Sequence, residues 1–142
     1  DTVGILLATS PLRIAADIIE AYKMFEACQE PNLMSVTPFE HCPFWVQVLN
    51  ANGRLEPYFP ELYETKRQHL PEAYRPNGAI HIIDIAWLKT APSYTAQPMI
   101  GYVMPRERSI DIDNMQDLNE AEFLISRTRG APPSDGDYAD PN

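Results

Sequence analysis

The chain has 142 residues, 44% of them hydrophobic and 22% charged, which is close to the globular average and excludes a fibrous or wholly disordered protein. Eleven Lys and Arg stand against twenty Asp and Glu, a formal charge of −9 that repels phosphate backbones and argues against a general nucleic-acid-binding role. No apolar run approaches the ~20 residues of a membrane-spanning helix, and no basic segment precedes an apolar one as in a secretory leader.

Residues 3–8 form an apolar run of strand length, stopped by Thr9-Ser10-Pro11. Its continuous apolarity predicts a strand covered on both faces, as in a parallel sheet. Ile14, Ile18, Tyr22 and Phe25 then recur at helical spacing, predicting a helix that ends near Cys28. Residues 33–36 read as a second strand, so the first third predicts a βαβ unit. Residues 39–76 are rich in Pro, aromatic and polar residues. Within them Asn50-Ala51-Asn52-Gly53 predicts the turn of a hairpin between residues 45–49 and 55–59. Residues 79–83 and 99–104 read as strands and 85–89 as a short helical turn. Residues 110–113 read as an extended lead into a last helix, with Asn114 as N-cap, Asp117 three residues on, and an apolar stripe of Met115, Leu118, Ala121 (or Glu122) and Ile125. From residue 130 the composition shifts to Gly, Pro, Ser and Asp, predicting a disordered acidic tail. Cys28 and Cys42 form no CxxC and are read as reduced thiols in a cytoplasmic protein.

Three segments carry chemistry. In Ser109-Ile110-Asp111-Ile112-Asp113, an extended backbone sends Ile110 and Ile112 to one side and Asp111 and Asp113 to the other. Two adjacent carboxylates suit a hard cation such as Mg²⁺, which keeps waters and substrate phosphates among its ligands. On spacing alone, an exposed Asp pair with Asp113 aiding the helix N-terminus accounts for the same residues. Arg67 and Arg75 flank a Pro-rich segment running through Asn77-Gly78 into a strand, and arginine binds carboxylate or phosphate through two parallel bonds. A solvated loop with ordinary surface arginines is the simpler reading of that segment alone. Thr9-Ser10-Pro11-Leu12-Arg13 sits where the first strand ends, the place at which open α/β sheets bind ligands, although a plain connecting turn would look the same.

Taken in order, these segments resemble the C-terminal portion of the acylneuraminate cytidylyltransferases, the family that makes CMP-sialic acid. The resemblance runs from Leu6-Leu7-Ala8-Thr9-Ser10-Pro11-Leu12-Arg13 through Ser35-Val36-Thr37-Pro38-Phe39-Glu40-His41 and residues 67–80 to Ser109-Ile110-Asp111-Ile112-Asp113, with Asp117-Leu118 and Ala121-Glu122 in the last helix. It implies a three-layer, Rossmann-like α/β nucleotide-sugar transferase sheet over residues 1–129, with an inserted hairpin element for dimerisation in residues 39–95. It implies a reaction in which CTP and a nonulosonic acid, N-acetylneuraminate or a relative, give the CMP-sugar and pyrophosphate with Mg²⁺. The implied metal and catalytic ligands are Asp111 and Asp113. The implied substrate-binding residues are Ser10, Arg67 (at the sugar carboxylate), Arg75, Asn77, His81 and Tyr94, the last two where a partner subunit of a homodimer completes the sugar pocket.

Two positions depart from the family pattern. Leu7 stands where many members have Gln, and Trp45 where a basic residue is common. The glycine- and cation-containing loop with which members begin, and which cradles the CTP phosphates, has no counterpart in these residues, so the N-terminal part of the fold is expected to be missing and the chain alone is expected not to turn over CTP. The competing expectation is a non-catalytic dimeric module that keeps the fold and binds sugar acids weakly.

Overall fold

The computed structural model describes residues 1–129; the expected tail, 130–142, lies outside the described residues. The chain runs β1 (Thr2–Ile5), α1 (Ala15–Ala27), β2 (Asn32–Pro38), β3 (Gln47–Leu49), β4 (Leu55–Pro57), β5 (Tyr74–Asp84), α2 (Ile85–Leu88), β6 (Ile100–Val103) and α3 (Met115–Arg129). Short 3₁₀ turns at Pro43–Trp45, Arg67–His69 and Arg106–Arg108 punctuate the connections.

Four strands form one sheet in the order β1-β5-β2-β6. β5 runs antiparallel to both β1 and β2, and β2 runs parallel to β6. The sheet is therefore mixed, which corrects the expected parallel arrangement. β1 and β2 point the same way, as a βαβ unit requires, but β5 lies between them. β1 is an edge strand of the described residues with alternating burial, not a strand covered on both faces. Its apolar run is shorter than expected because the chain leaves the ladder after Ile5, and Leu6 and Leu7 remain largely exposed.

One face of the sheet packs against α1. Leu33, Ile80 and Ile82 meet Ile18, Ala21 and Phe25 of the helix, with Ile100, Tyr102 and Met104 beside them. The helical stripe is thus Ile18, Ala21 and Phe25. Ile14 is the exposed N-cap and Tyr22 is largely exposed, contrary to the four-residue stripe read from spacing. In α3, Ala121 is buried as expected, whereas Met115 and Glu122 are exposed. The cap of α3 is reciprocal: Asn114 Oδ1 accepts from the amides of Gln116 (2.8 Å) and Asp117 (3.1 Å), and Asp117 Oδ2 accepts from the Asn114 amide (3.1 Å).

The hairpin β3–β4 forms at the predicted turn. Asn50 Oδ1 accepts from the amides of Asn52 and Arg54, and Gly53 takes the positive φ of +74° that the turn needs.

The feature that shapes the site is an irregularity in β5. Met34 pairs with His81 and Val36 with Pro76, so a single β2 residue, Ser35, faces Asn77, Gly78, Ala79 and Ile80. Side chains repair the broken ladder. Ser35 Oγ accepts from the Ile80 amide (2.7 Å) and donates to Asn77 Oδ1 (2.5 Å), and Asn77 Oδ1 also accepts from the Ala79 amide (3.2 Å). The outward bow of the strand carries Gly78 (φ +71°) toward the end of β1.

Candidate active site

The carboxyl ends of β1, β2 and β6 and the start of β5 all lie at one edge of the sheet. The segments that leave this edge carry most of the residues singled out from sequence. Phe39 donates its amide to Ala73 O (3.0 Å), extending the β2–β5 pairing beyond the strands proper. Because neighbouring residues on extended chain face opposite sides, this ribbon divides the edge into two clefts.

The first cleft, of about 520 Å³, is lined by Phe39, His41, Cys42, Arg67, Gln68 and Tyr74, among others. Arg67 sits on the 3₁₀ turn Arg67–His69, formed as the Pro-rich segment doubles back toward β5. The second cleft, of about 330 Å³, is lined by Glu40, Arg75, Arg106, Ser109, Asp111, Asp117 and Glu120. Glu40 and Arg106 form an ion pair across it at 2.7 Å. Arg67 and Arg75 therefore lie in separate clefts, and Arg75 shares its cleft with Asp111.

Asp111 is the most informative group. Its Oδ1 is enclosed and has no hydrogen-bond partner among the described residues. Its Oδ2 approaches Gly78: a methyl placed on that glycine would lie 3.5 Å from Asp111 Oδ2, 3.1 Å from Ser10 Oγ and 3.0 Å from Leu7 Cδ1. Ser10, Gly78 and Asp111 thus converge from three segments on one point. A buried carboxylate oxygen left without a donor is costly and calls for a cation. Asp113 is exposed, and its amide donates to Asp117 Oδ2 (2.9 Å) at the start of α3. Among the described residues no three His, Cys, Asp or Glu side chains gather as a metal cage. This donor set fits Mg²⁺, which is commonly held by one or two carboxylates with water and phosphate oxygens completing its shell.

Asn77 stands behind this point rather than in a cleft. It is fully buried, and its side chain is consumed internally: Oδ1 as described above, Nδ2 donating to Ser109 Oγ (2.9 Å) and reaching Met104 Sδ (3.4 Å). Its carbonyl accepts from Ser10 Oγ (3.0 Å). Ser109 Oγ in turn donates to Pro105 O (2.7 Å). The chain Ser35–Asn77–Ser109 ties β2, β5 and the segment that leads into Asp111 together.

His81 and Tyr94 form a separate cluster farther along β5. His81 alternates with Ile80 and Ile82 and so faces away from α1. Its Nε2 meets Asn32 Oδ1 at 2.6 Å, and its ring packs against Tyr94 with centroids 5.5 Å apart. Asn32 Nδ2 donates to Tyr94 O (3.0 Å) and Ala96 O (3.1 Å), pinning residues 94–96 beside the histidine. Burial pushes the His81 imidazole below its ordinary pKa.

Sequence reasoning passed over Arg106, Arg108, Asp17 and Thr37. Thr37 pairs in register with Arg75, is buried, and its hydroxyl has no partner among the described residues. Asp17 is buried beside Arg108, which grips it through Nε to Oδ2 (2.9 Å) and Nη2 to Oδ1 (2.7 Å). Burial pushes the Asp17 carboxyl up, but the Arg108 hydrogen bonds, the Ile14 amide and the Arg108 charge outweigh it and hold the group below its usual value. The available signal was an acidic residue in the first turn of α1 and a cation just ahead of Ser109, but nothing local links the two.

No family model matches the chain. It is 32% identical to the pseudaminic acid cytidylyltransferase of Campylobacter jejuni over 125 residues, 87% of this chain and 53% of that protein. It is 30% identical to the post-translational flagellin modification protein B of Campylobacter coli, over 88% of this chain and 53% of that protein. It is 27% identical to the N-acylneuraminate cytidylyltransferase of Escherichia coli, over 85% of this chain and 29% of that protein. The chain spans about half the length of the first two relatives and less than a third of the other.

Proposed function

The chain belongs, over the stretch of its relatives that it spans, to the acylneuraminate cytidylyltransferase family, and on that premise we propose that it carries the metal-binding and sugar-binding side of a site that transfers CMP from CTP to a nonulosonic acid. The observation that carries this reading is the convergence of Ser10, Gly78 and Asp111 at the sheet edge, where Asp111 Oδ1 has no donor among the described residues, with Arg75 in the same cleft as Asp111. In the reaction, the anomeric hydroxyl oxygen of the sugar acid bonds to the α-phosphorus of CTP, and the bond to pyrophosphate breaks.

Each residue has a distinct part in this reading. Asp111 holds Mg²⁺, with Asp113 as the second carboxylate on the same segment. The bound ion supplies charge neutralisation for the triphosphate and its departing pyrophosphate. Arg75 offers a guanidinium to an anionic group in the Asp111 cleft, and Arg67 offers one to the acceptor carboxylate in the neighbouring cleft. Holding both reactants converts a bimolecular encounter into an oriented one. Ser10 and Asn77 act by shaping the floor of the site. His81 and Tyr94 stand apart from both clefts and bear on the acceptor from the far end of β5, in a homodimer whose contacts come from residues 39–95.

The relatives that the chain spans more fully include one that acts, by name, on pseudaminic acid, so that sugar is the first acceptor to test. The protein at its native length, incubated with CTP, Mg²⁺ and a panel of pseudaminic, legionaminic and N-acetylneuraminic acids, is expected to form a CMP-sugar with at least one of them by mass spectrometry. A protein that binds these acids but forms no CMP conjugate would instead be the non-catalytic module.

A further inference from the structure

The ion pair between Asp17 and Arg108 lies outside both clefts, yet it closes a ring around Asp111. On one side of the ring is the turn between β1 and α1. Arg13 Nη1 stiffens that turn by donating to Leu7 O (2.6 Å) and Ser10 O (2.8 Å), and Asp17 caps the helix by accepting the Ile14 amide at Oδ2 (3.0 Å). On the other side are residues 108–112. The two sides are pinned twice, by Asp17–Arg108 and by the Ile112 amide donating to Thr9 O (2.8 Å). Ser10 follows one pinned residue, Asp111 precedes the other, and both side chains close over Gly78.

An ion pair with one buried partner, as Asp17 is here, is weak evidence of stability, because apolar replacements of buried pairs are often as stable or more so. A two-pronged guanidinium–carboxylate contact does, however, fix the relative placement and angle of the two segments that bear it. We propose that Asp17 and Arg108 are positioning residues, a clamp that aims the Asp111 carboxylate into its cleft and so sets the affinity of the site for a divalent cation. The proposal rests on the reading of Asp111 as a cation ligand.

The test measures Mn²⁺ affinity of the purified chain, by the electron paramagnetic resonance signal of free Mn²⁺, alongside a thermal melt. Asp111→Asn serves as the reference variant and is expected to abolish the bound fraction. Asp17→Asn, and Arg108→Lys, which keeps the charge but loses the fork, are each expected to weaken Mn²⁺ binding at least fivefold. The double variant Asp17→Leu with Arg108→Met fills the space with apolar side chains and guards against loss of the fold. It is expected to melt near the parent temperature and still to bind Mn²⁺ at least fivefold more weakly. Parent-like affinity in the folded double variant, or lowered melting temperatures with unchanged affinity in the single variants, would overturn the clamp while leaving Asp111 as a ligand. If Asp111→Asn binds Mn²⁺ as well as the parent, the ligand reading fails and the clamp falls with it.

Discussion

Gly78 shows how narrowly the site is built at the level of single residues. Its φ of +71° disfavours any side chain, and the space a methyl would enter is already held by Leu7, Ser10 and Asp111. Gly78→Ala is expected to destabilise the fold by about 1–3 kcal/mol, the range for a residue forced into a sparsely populated backbone region. A denaturant melt checks this. His81 allows a prediction with a definite sign. Its pKa is lowered by burial, so the unfolded chain binds the proton more readily than the folded one. Stability is therefore complete above the ordinary histidine pKa of about 6.5 and declines as pH falls from there toward the lower folded value. The melting temperature is expected to drop between pH 7 and pH 5.5, and His81→Gln should flatten that dependence. An unchanged slope in the variant would assign it to another group.

At the scale of elements, α3 begins with a cap whose parts can be removed one at a time. Asn114→Ala removes the acceptor of two amides and is expected to cost about 1 kcal/mol in a chemical melt, whereas Asn114→Asp should cost little. This cap was legible in the sequence because Asn114 and Asp117 lie within one turn, where local spacing decides the contact. The β3–β4 turn was legible for the same reason. The insertion of β5 between β1 and β2 was not, since strand order depends on pairings tens of residues apart and no local pattern encodes it. The bow at Gly78 was hidden too: Asn77-Gly78 reads only as the lead into a strand until Ser35, 42 residues before Asn77, is seen to repair the ladder. The Asp17–Arg108 pair spans 91 residues and left the same blank. At the site, Asp111 and Arg75 could be picked out because their residue types are suited to a cation and an anion respectively. The division of Arg67 from Arg75 could not, because it follows from the alternation of an extended ribbon whose length exceeds what the pattern predicts.

At the scale of the molecule, the hairpin stands out from the sheet with Trp45, Val46, Val48, Leu49, Leu55 and Tyr58 largely exposed. Two short strands alone are marginal in water and need a packing partner. Sedimentation of the protein is expected to show a dimer at micromolar concentration, and Leu49→Asp with Leu55→Asp should shift it to monomer. The helices of the described residues include none long and apolar enough to cross a membrane.

Cytidylyl transfer at the edge where Ser10, Gly78 and Asp111 meet is a proposal. Its most direct test is the Mg²⁺-dependent rate of pyrophosphate release from CTP in the presence of the accepted sugar acid, by the protein at native length and by its Asp111→Asn variant. Loss of a metal ligand should cost several kcal/mol of transition-state stabilisation, on the order of a thousandfold in rate. Stability should hold or rise slightly, because the substitution relieves an enclosed carboxylate oxygen that has no donor among the described residues. A thousandfold slower, fully folded variant is the predicted result. Turnover by Asp111→Asn within a few-fold of the parent would contradict the account.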